Sequence, residues 1–470
     1  MKKAAFRWTA TFVVIFLNFL FWLIPSNLAY NVAQQRDILL GRYTVDKFTI
    51  LIILALISAF VIRGIWSKKK AHSKKDIFKF IAVVVSVILS IVFVDIVLRI
   101  SRGQLYVSKK TYYHRPPNMV MKGVFRDEPP TAFTYPFAPD GFADNNYTMT
   151  IDSRGFRNKT DLAEYDIITI GDSFVEGSGL SDEQCWPVLI GKMTGKTVYN
   201  LGMPGVSPVT MLETLKKFAI DLSPTTIVCM LYEGNDFRAS NFNPRRKNRL
   251  TLKYFYDSSP LRLSTKKLLI DVFGPINCNR RKDPAVQKSL TPTHSLYPVS
   301  LMPLPVPRDN PKYYTFKIKA LAAHYIQKQD FLNSTGCKQT FEVMRQMKKL
   351  CDDHNIRLIV VYAPDKPNVL LPIEAESLSP QLLHAFMSLR VKNLPQPDEL
   401  KKLILERLPV IESATHQFCR SESIEFISLT EPLRDRILKA RQCYFTYDQH
   451  WTPVGHEVAA SLVAAYLESQ

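Results

Sequence analysis

Four short stretches of this chain hold the residue types that acyl transfer requires. They are "GDSF" with Ser173, "NLGMPGVSP" with Gly205, "EGND" with Asn235 and "YDQHW" with Asp448 and His450. A serine hydroxyl is a weak nucleophile until a base removes its proton, and histidine can do so near neutral pH. A carboxylate can hold the imidazole and stabilise its charged form. The residue types therefore indicate nucleophilic catalysis by Ser173, with His450 as base and Asp448 as its partner.

The tetrahedral intermediate of acyl transfer needs hydrogen-bond donors aimed at its negative oxygen. We expect these donors to be the backbone N–H groups of Ser173 and Gly205 and the side-chain amide of Asn235. Taken singly, each stretch has a simpler explanation, because Gly-Asp-Ser can end a strand and Asn-Asp is common turn chemistry. Their joint order along the chain favours a catalytic site.

Several residues beside these stretches have two possible roles. Trp451 could line the substrate pocket or pack against the sheet edge, and packing is slightly favoured. Arg157, in "IDSRGFRN", could reach the substrate or belong to a structural cap on the sheet. Asp172 is expected to support the turn before Ser173, and His456 to be a helix residue rather than a base.

Short apolar runs alternate with helical stretches from residue 165 onward. Strands are expected at 166–171, 197–202, 226–232, 357–363 and 424–428, and helices near 182–194, 208–221, 337–354, 398–420 and 453–468. This alternation predicts an α/β fold with a parallel five-stranded sheet and helices on both faces. Such sheets bind ligands at the carboxyl ends of their strands, where Ser173, Gly205 and Asn235 would lie.

Together the four blocks resemble the SGNH (GDSL) hydrolase superfamily, because Ser173, Gly205, Asn235 and His450 occur in its order. The resemblance covers about 165–235 and 356–470. It implies a flavodoxin-like three-layer α/β/α sandwich and ester hydrolysis or acyl transfer, with no metal and no organic cofactor.

The histidine block departs from the superfamily's usual pattern. That pattern is Asp-x-x-His, whereas here Asp448 precedes His450 by two residues and Trp451 follows. This D-x-H-W form is similar to membrane-associated proteins of alginate and other exopolysaccharide O-acetylation. The stretch "VVYAPDKPNVL" at 360–370 is similar to that branch too.

Three apolar runs crowd the first 100 residues, at about 10–24, 48–62 and 77–97. A bilayer-spanning helix needs about 20 apolar residues, so we expect three transmembrane helices and a retained anchor rather than a cleaved signal peptide. The stretch "SKKKAHSKKD" after the second run contains five lysines. Such a loop belongs in the cytoplasm, together with the N-terminus. The chain after about residue 103 would then be periplasmic or extracellular.

The sequence is expected to divide into a membrane anchor at 1–102, a juxtamembrane collar at 103–164 and a hydrolase-like domain at 165–470. A basic insertion at about 236–335 interrupts the last of these. Residues 238–288 within it contain 13 Lys+Arg and 3 Asp+Glu. The insertion could be a solvated loop, a lid, or a surface that binds anionic lipid or glycan.

The formal charge of +19 does not require a nucleic-acid partner. Residues 1–110 contain 17 Lys+Arg and 4 Asp+Glu and so contribute +13, which leaves +6 for the rest of the chain. Attraction to anionic headgroups accounts for a basic segment beside a membrane. We therefore expect membrane lipid, and no nucleic acid, among the partners.

All seven cysteines follow residue 103, in a compartment that permits disulfides. The odd number leaves at least one thiol free, and Cys229, in "TIVCMLY", is expected to be a reduced core residue. Sequence does not assign pairs. The absence of CxxC spacing makes a zinc knuckle unexpected.

These patterns favour a membrane-anchored serine esterase or O-acyltransferase that acts through an acyl-enzyme on acyl esters, above all acetyl esters, of envelope or extracellular glycans. Both activities use the same residues and differ in whether water or a sugar hydroxyl accepts the acyl group. A transferase would need a separate membrane acyl-donor protein, because three helices are too few to carry acyl groups across a bilayer. The alternative is a non-enzymatic envelope component that binds glycan or lipid.

Overall fold

The computed structural model describes most of the chain after residue 140 and parts of the chain before it. The described ranges are 2–24, 38–39, 43–66, 114–115, 117–127, 141–238, 312–376, 378–388 and 391–469, with isolated positions between 86 and 97 and between 265 and 303. Contacts divide the chain into two units. The first comprises 1–109, 130–138 and 245–293, and the second 110–129, 139–244 and 294–470. The described residues of the predicted collar lie in the second unit, together with the sheet.

The first unit contains two long apolar helices, α1 (Lys2–Leu23) and α2 (Val45–Trp66). By length and composition, Ala4–Leu23 and Val45–Trp66 could each cross a membrane. Two short antiparallel strands precede α2, β1 (Ile38–Leu39) and β2 (Tyr43–Thr44). Most of the third predicted span, 77–97, lies outside the described residues, although 92–97 are helical. The third span therefore stays a prediction.

The second unit is built on a parallel sheet of five strands in the order β11-β10-β7-β5-β6. The strands are β5 (Ile167–Ile170), β6 (Val198–Asn200), β7 (Thr226–Tyr232), β10 (Arg357–Ala363) and β11 (Glu425–Ser428). The predicted sheet is confirmed, with boundaries within two residues of those expected. Along the chain, β5 is followed by β6 at one edge of the sheet, and then β7, β10 and β11 are added in turn on the other side of β5. The direction of winding therefore reverses between β5 and β7, and such a reversal is where open α/β sheets bind ligands.

Helices cover both faces of the sheet. Alternate residues of β7 point to opposite faces: Ile227 and Cys229 join one apolar cluster, and Val228 and Met230 the other. The first cluster is completed by α5 (Pro208–Phe218), α8 (Thr335–Asp353) and α12 (Val410–Ser421), and the second by α4 (Trp186–Thr194), α9 (Lys366–Ile373), α13 (Thr430–Leu438) and α14 (Pro453–Glu468). This arrangement is the expected three-layer sandwich.

The remaining elements of the second unit are short or lie beside the sheet. The strands β3 (Met119–Phe125) and β4 (Asn145–Ile151) form an antiparallel ribbon, and β8 (Met302–Pro303) pairs with β9 (Tyr313–Tyr314). The other helices are α3 (Ser173–Glu176), α6 (Ile318–Ala323), α7 (Lys328–Asn333), α10 (Pro380–Ser388) and α11 (Pro397–Arg407), with 3₁₀ turns at Asp182–Gln184 and Ile220–Leu222.

The helix expected at 398–420 is two helices, so this prediction was wrong in one respect. The first, α11, ends at Arg407 and the second, α12, begins at Val410. Pro409 lies at the break. Proline has no N–H to donate to the preceding turn, and its ring clashes with the carbonyl four residues back.

Six of the seven cysteines lie in the described part of the chain, and all six are free and buried. Cys229 is fully buried among apolar side chains of the sheet, as expected of a reduced core residue. The seventh, Cys278, lies outside the described residues.

Candidate active site

Ser173 is the first residue of α3, directly after β5. Asp172 caps this helix, because its side chain accepts a hydrogen bond from the backbone N–H of Phe174 at 2.9 Å. The turn packs tightly on the chain that follows β6. A Cβ atom at Gly202 would lie 2.3 Å from the backbone nitrogen of Glu176, so only glycine permits this approach. The local sequence thus presents the serine at the carboxyl end of the sheet.

Three side chains form a continuous hydrogen-bonded chain at this position. His450 Nε2 lies 2.7 Å from Ser173 Oγ, and His450 Nδ1 lies 2.5 Å from Asp448 Oδ1. The same carboxylate oxygen accepts the backbone N–H of His450 at 2.9 Å. The two-residue spacing therefore lets Asp448 bind both the ring and the backbone of one histidine. Because a carboxylate only accepts, Nδ1 carries a hydrogen, and Nε2 of the neutral ring can accept the serine proton.

The electrostatics of the pair suit a general base. Burial disfavours a charged imidazole, but the hydrogen bond and charge of Asp448 outweigh it and raise the pKa of His450 above its ordinary value. Burial likewise opposes the charge of Asp448, yet His450 lowers the pKa of that carboxyl well below its usual range. Each partner favours the charged form of the other, so a proton taken from Ser173 is stabilised on His450.

The Gly-Asp-Ser and Gly-Asn-Asp turns are linked by their side chains. The amide Nδ2 of Asn235 donates to Asp172 Oδ2 at 2.7 Å, and this bond fixes the orientation of the amide. An amide nitrogen carries two hydrogens, so this orientation is compatible with donation to an oxyanion. Gly205 follows β6 in a turn with φ of 70°. The oxyanion roles of Ser173, Gly205 and Asn235 stay predictions.

Arg157 and Trp451 both have structural roles, as one of the two alternatives for each residue predicts. Arg157 is 3% exposed, and its guanidinium pairs with Asp182 and donates to the carbonyls of Glu176, Gly177 and Leu180. Trp451 is fully buried, with its ring 4.9 Å from that of Phe174. For both residues the alternative of substrate contact is therefore corrected in favour of the structural one, since both side chains pack around the nucleophile turn.

His456 is buried in α14, as its helical context predicts. Its Nδ1 accepts the backbone N–H of Trp186 at 3.2 Å. Burial lowers the pKa of His456 to about 3, so the ring stays neutral at physiological pH.

Two residues that the motifs did not identify hold the segment before His450. Asp127, just after β3, accepts backbone N–H groups of that segment. Lys366, at the start of α9, donates to the carbonyls of Thr315 and Thr446 at 2.8 and 3.0 Å. Burial lowers the pKa of Lys366 to about 8. The lysine lies in the "APDKPNVL" stretch, whose only sequence signal is its resemblance to the exopolysaccharide branch, whereas nothing local to Asp127 marks it.

One buried group in the described residues has the donor atoms of a metal site. Glu233, His324 and Asp365 offer ligand atoms within 4.8 Å of one another. The carboxylates of this group already accept hydrogen bonds. Asp365 accepts one from His324 Nε2 at 2.9 Å, and Glu233 accepts those of the Asn368 amide at 3.1 and 3.2 Å. Burial opposes charge on His324, but the two carboxylates raise the pKa of that ring to about 9. The group therefore has the properties of a buried ion cluster.

Comparison with known proteins finds likeness in structure alone. No family model matches the chain, and the curated proteins give no significant match. A protein from Desulfitobacterium hafniense, described as lipolytic and of the G-D-S-L family, is 10% identical with a TM-score of 0.30, over 64% of this chain and 97% of its own. A GDSL-like lipase from Bacteroides thetaiotaomicron is 12% identical with a TM-score of 0.28, over 64% and 87%. A member of the G-D-S-L lipolytic family from Veillonella parvula is 10% identical with a TM-score of 0.27, over 65% and 98%.

The descriptions of these three structures name lipolytic or lipase-like proteins of the G-D-S-L type. Their identities of 10 to 12% and TM-scores of 0.27 to 0.30 are too low to assign this chain a family or a reaction.

Proposed function

We propose that this protein is a serine ester hydrolase or acyltransferase that forms an acyl-enzyme on Ser173. The observation that carries the proposal is the hydrogen-bonded chain from Ser173 Oγ through His450 to Asp448. It combines a nucleophile, a base and a group that orients the base, which is the arrangement that serine-dependent acyl transfer needs.

In the first half-reaction, Ser173 Oγ attacks the ester carbonyl while its proton passes to His450 Nε2. Asp448 stabilises the imidazolium that forms. The negative oxygen of the tetrahedral intermediate accepts hydrogen bonds from the N–H groups of Ser173 and Gly205 and from the Asn235 amide. The intermediate then collapses, the bond to the leaving alkoxide breaks, and His450 returns the proton to that alkoxide. The acyl group remains on Ser173.

The second half-reaction repeats these steps with a new nucleophile. His450 takes a proton from water or from a sugar hydroxyl, whose oxygen attacks the acyl-serine. Water yields a carboxylic acid and completes hydrolysis, whereas a sugar hydroxyl yields a new ester and completes transfer. Which outcome prevails depends on what the site admits beside the acyl-serine.

The substrate proposed is an acyl ester, above all an acetyl ester, of an envelope or extracellular glycan. Its support is the D-x-H-W form around His450, which is similar to proteins of exopolysaccharide O-acetylation. The two apolar helices α1 and α2 support attachment to a membrane. The lysine-rich loop after α2 favours a cytoplasmic N-terminus, and the third predicted span, at 77–97, would then carry the sheet to the far side. In the transferase case, a separate membrane protein would supply the acyl group.

The test is acetate release from p-nitrophenyl acetate by the full chain in detergent micelles. Wild type is compared with Ser173→Ala, with and without oligosaccharide acceptors. Release that depends on Ser173 supports the acyl-enzyme, and acetylated oligosaccharide among the products favours transfer. Equal release by both folded proteins would overturn the proposal. Oligosaccharide binding by both, without turnover, would favour the non-enzymatic glycan-binding component.

A further inference from the structure

A carboxylate from the predicted collar is buried against the segment that carries the acid–base pair. Asp127 follows β3 and is 4% exposed. Its Oδ2 accepts the backbone N–H of Thr446 at 2.5 Å, and its Oδ1 accepts those of Tyr447 and Asp448 at 2.9 and 3.1 Å. Oδ2 also accepts the N–H of Phe142 at 2.9 Å. Three successive peptide groups of one segment thus converge on one side chain.

The geometry of that segment fixes where the catalytic carboxylate stands. The N–H of Asp448 is among the three that Asp127 binds, and the side chain of Asp448 is the partner of His450. Bonds from successive N–H groups to one anion determine the backbone angles between them. A change at Asp127 would therefore displace Asp448, and through it the imidazole that lies 2.7 Å from the serine oxygen.

Two further contacts hold the same segment. Lys366 Nζ donates to the carbonyl of Thr446, so the N–H and C=O of that residue are bound by opposite charges. The ring of Phe125, at the end of β3, lies 4.5 Å from the ring of Phe445. The end of the ribbon and the residues just after it therefore meet the segment through an aromatic contact and through the hydrogen bonds of Asp127.

We propose that Asp127 is a positioning residue for the Asp448–His450 pair, so that this one residue of the collar helps to arrange the catalytic side chains. This inference rests on the proposed function. Asp127 touches neither substrate nor the reacting atoms and acts through the backbone of residues 446–448. A purely structural carboxylate would change stability and leave the titration of His450 unchanged, so the two roles can be separated.

The charged groups named as acting on the pKa of His450 are Asp448, in its own segment, and Asp172 and Glu176, in the nucleophile turn. Lys366 acts on Asp448, and His456 interacts with His450 itself. Asp127→Asn removes a negative charge as well as hydrogen bonds, and the lost charge alone would lower the pKa of His450. Asp127→Glu keeps the charge, so a lower pKa of His450 in that variant reports its separation from Asp448.

The first experiment measures kcat and KM against pH for the full chain in detergent, with p-nitrophenyl acetate. Asp127→Asn is expected to lower kcat about 100-fold, the effect of a small misplacement, and to leave KM within about twofold. The pH midpoint at which kcat/KM falls on the acid side should decrease toward the ordinary histidine pKa of about 6.5. Asp127→Glu keeps the charge and should retain more of kcat than Asp127→Asn. The control is Asp144→Asn, an exposed carboxylate paired with Arg126 at 3.4 Å, which should behave as wild type.

The second readout does not depend on turnover. Histidine labelled with ¹³C gives the ring titration of His450, assigned by the signal lost in His450→Gln. Asp127→Asn should lower that pKa relative to wild type, and Asp127→Glu should lower it by displacement of Asp448 without loss of charge, whereas Asp144→Asn should not lower it. Absence of Ser173-dependent turnover would reject the proposed function, yet the titration would still decide the role of Asp127.

Wild-type kcat together with an unchanged His450 titration, in a folded Asp127→Asn protein, would overturn the inference. Should that variant not fold, Asp127→Glu takes its place, because it displaces the carboxylate by one methylene. Wild-type kcat and titration in Asp127→Glu would then contradict it.

Discussion

His450 Nε2 lies 2.7 Å from Ser173 Oγ although 277 residues separate the two along the chain. Ser173 is placed by the end of β5, and His450 by a segment that enters α14. The two side chains meet only when the whole sheet and its last helix are assembled. Activity that depends on both residues is therefore also a measure of the native fold.

Asp448→Asn tests the partner of the histidine. The amide cannot stabilise the imidazolium as a carboxylate does, so kcat should fall on the order of 1,000- to 10,000-fold. In wild type the base must be neutral and its pKa is raised, so activity should be lost as pH falls through a midpoint above about 6.5. The substitution should move that midpoint to lower pH. The exposed Asp435 on α13 offers a control in Asp435→Asn, and an unchanged pH profile in Asp448→Asn would exclude the assigned role.

Asn235→Ala tests the side-chain donor of the oxyanion site. Loss of such a donor costs about 100-fold in kcat and little in KM, because the bond forms in the transition state. Asn235→Asp should be worse, since its carboxylate would face both Asp172 and the developing negative oxygen. Steady-state kinetics of the two variants check this, and a rise in KM alone would mean that Asn235 only binds substrate.

Arg157→Ala tests the structural role of Arg157 in the nucleophile turn. The substitution leaves Asp182 buried without its partner, so the free energy of unfolding should fall by about 3–5 kcal/mol. The exposed pair of Lys159 and Glu183 provides the control, because Lys159→Ala should cost about 1 kcal/mol or less. Denaturant titration compares the two variants. Equal stability losses would indicate that Arg157 is not committed to the turn.

Thiol labelling tests the six free cysteines. Burial raises the pKa of Cys185, Cys337, Cys351, Cys419 and Cys443 to about 12, and that of Cys229 is raised as well. These six should resist iodoacetamide at neutral pH in the native protein and react after unfolding, as peptide mapping would show. A reductant should leave Tm unchanged. A lower Tm in reductant would reveal a disulfide and refute the free-thiol assignment.

The elements that the sequence predicts well are those with a local signal. The strands Thr226–Tyr232 and Arg357–Ala363 are continuous apolar runs, and their observed bounds match those expected. Parallel strands place their carboxyl ends at one edge, so the approach of the Ser173 and Asn235 turns, which are joined by the bond from Asn235 to Asp172, followed from the strand pattern.

The elements that the sequence does not predict depend on distant contacts. Asp127 and Thr446 are 319 residues apart, and no periodicity or motif marks an aspartate that will accept three remote N–H groups. The sequence around Arg157 likewise does not distinguish it from a surface arginine. Only in the folded chain is it surrounded by Asp182 and backbone carbonyls. Such residues are recognised from the assembled structure, whereas the catalytic types are recognisable by chemistry.

The most direct measurement is the mass of the Ser173 peptide during turnover of an acetyl ester, after rapid acid quenching. We predict an adduct of one acetyl group on Ser173 that forms before acetate appears and that accumulates less in His450→Ala. Ser173→Ala should give neither adduct nor turnover. Acetate release with no adduct on Ser173, or release that persists in Ser173→Ala, would contradict the acyl-enzyme on which this account depends.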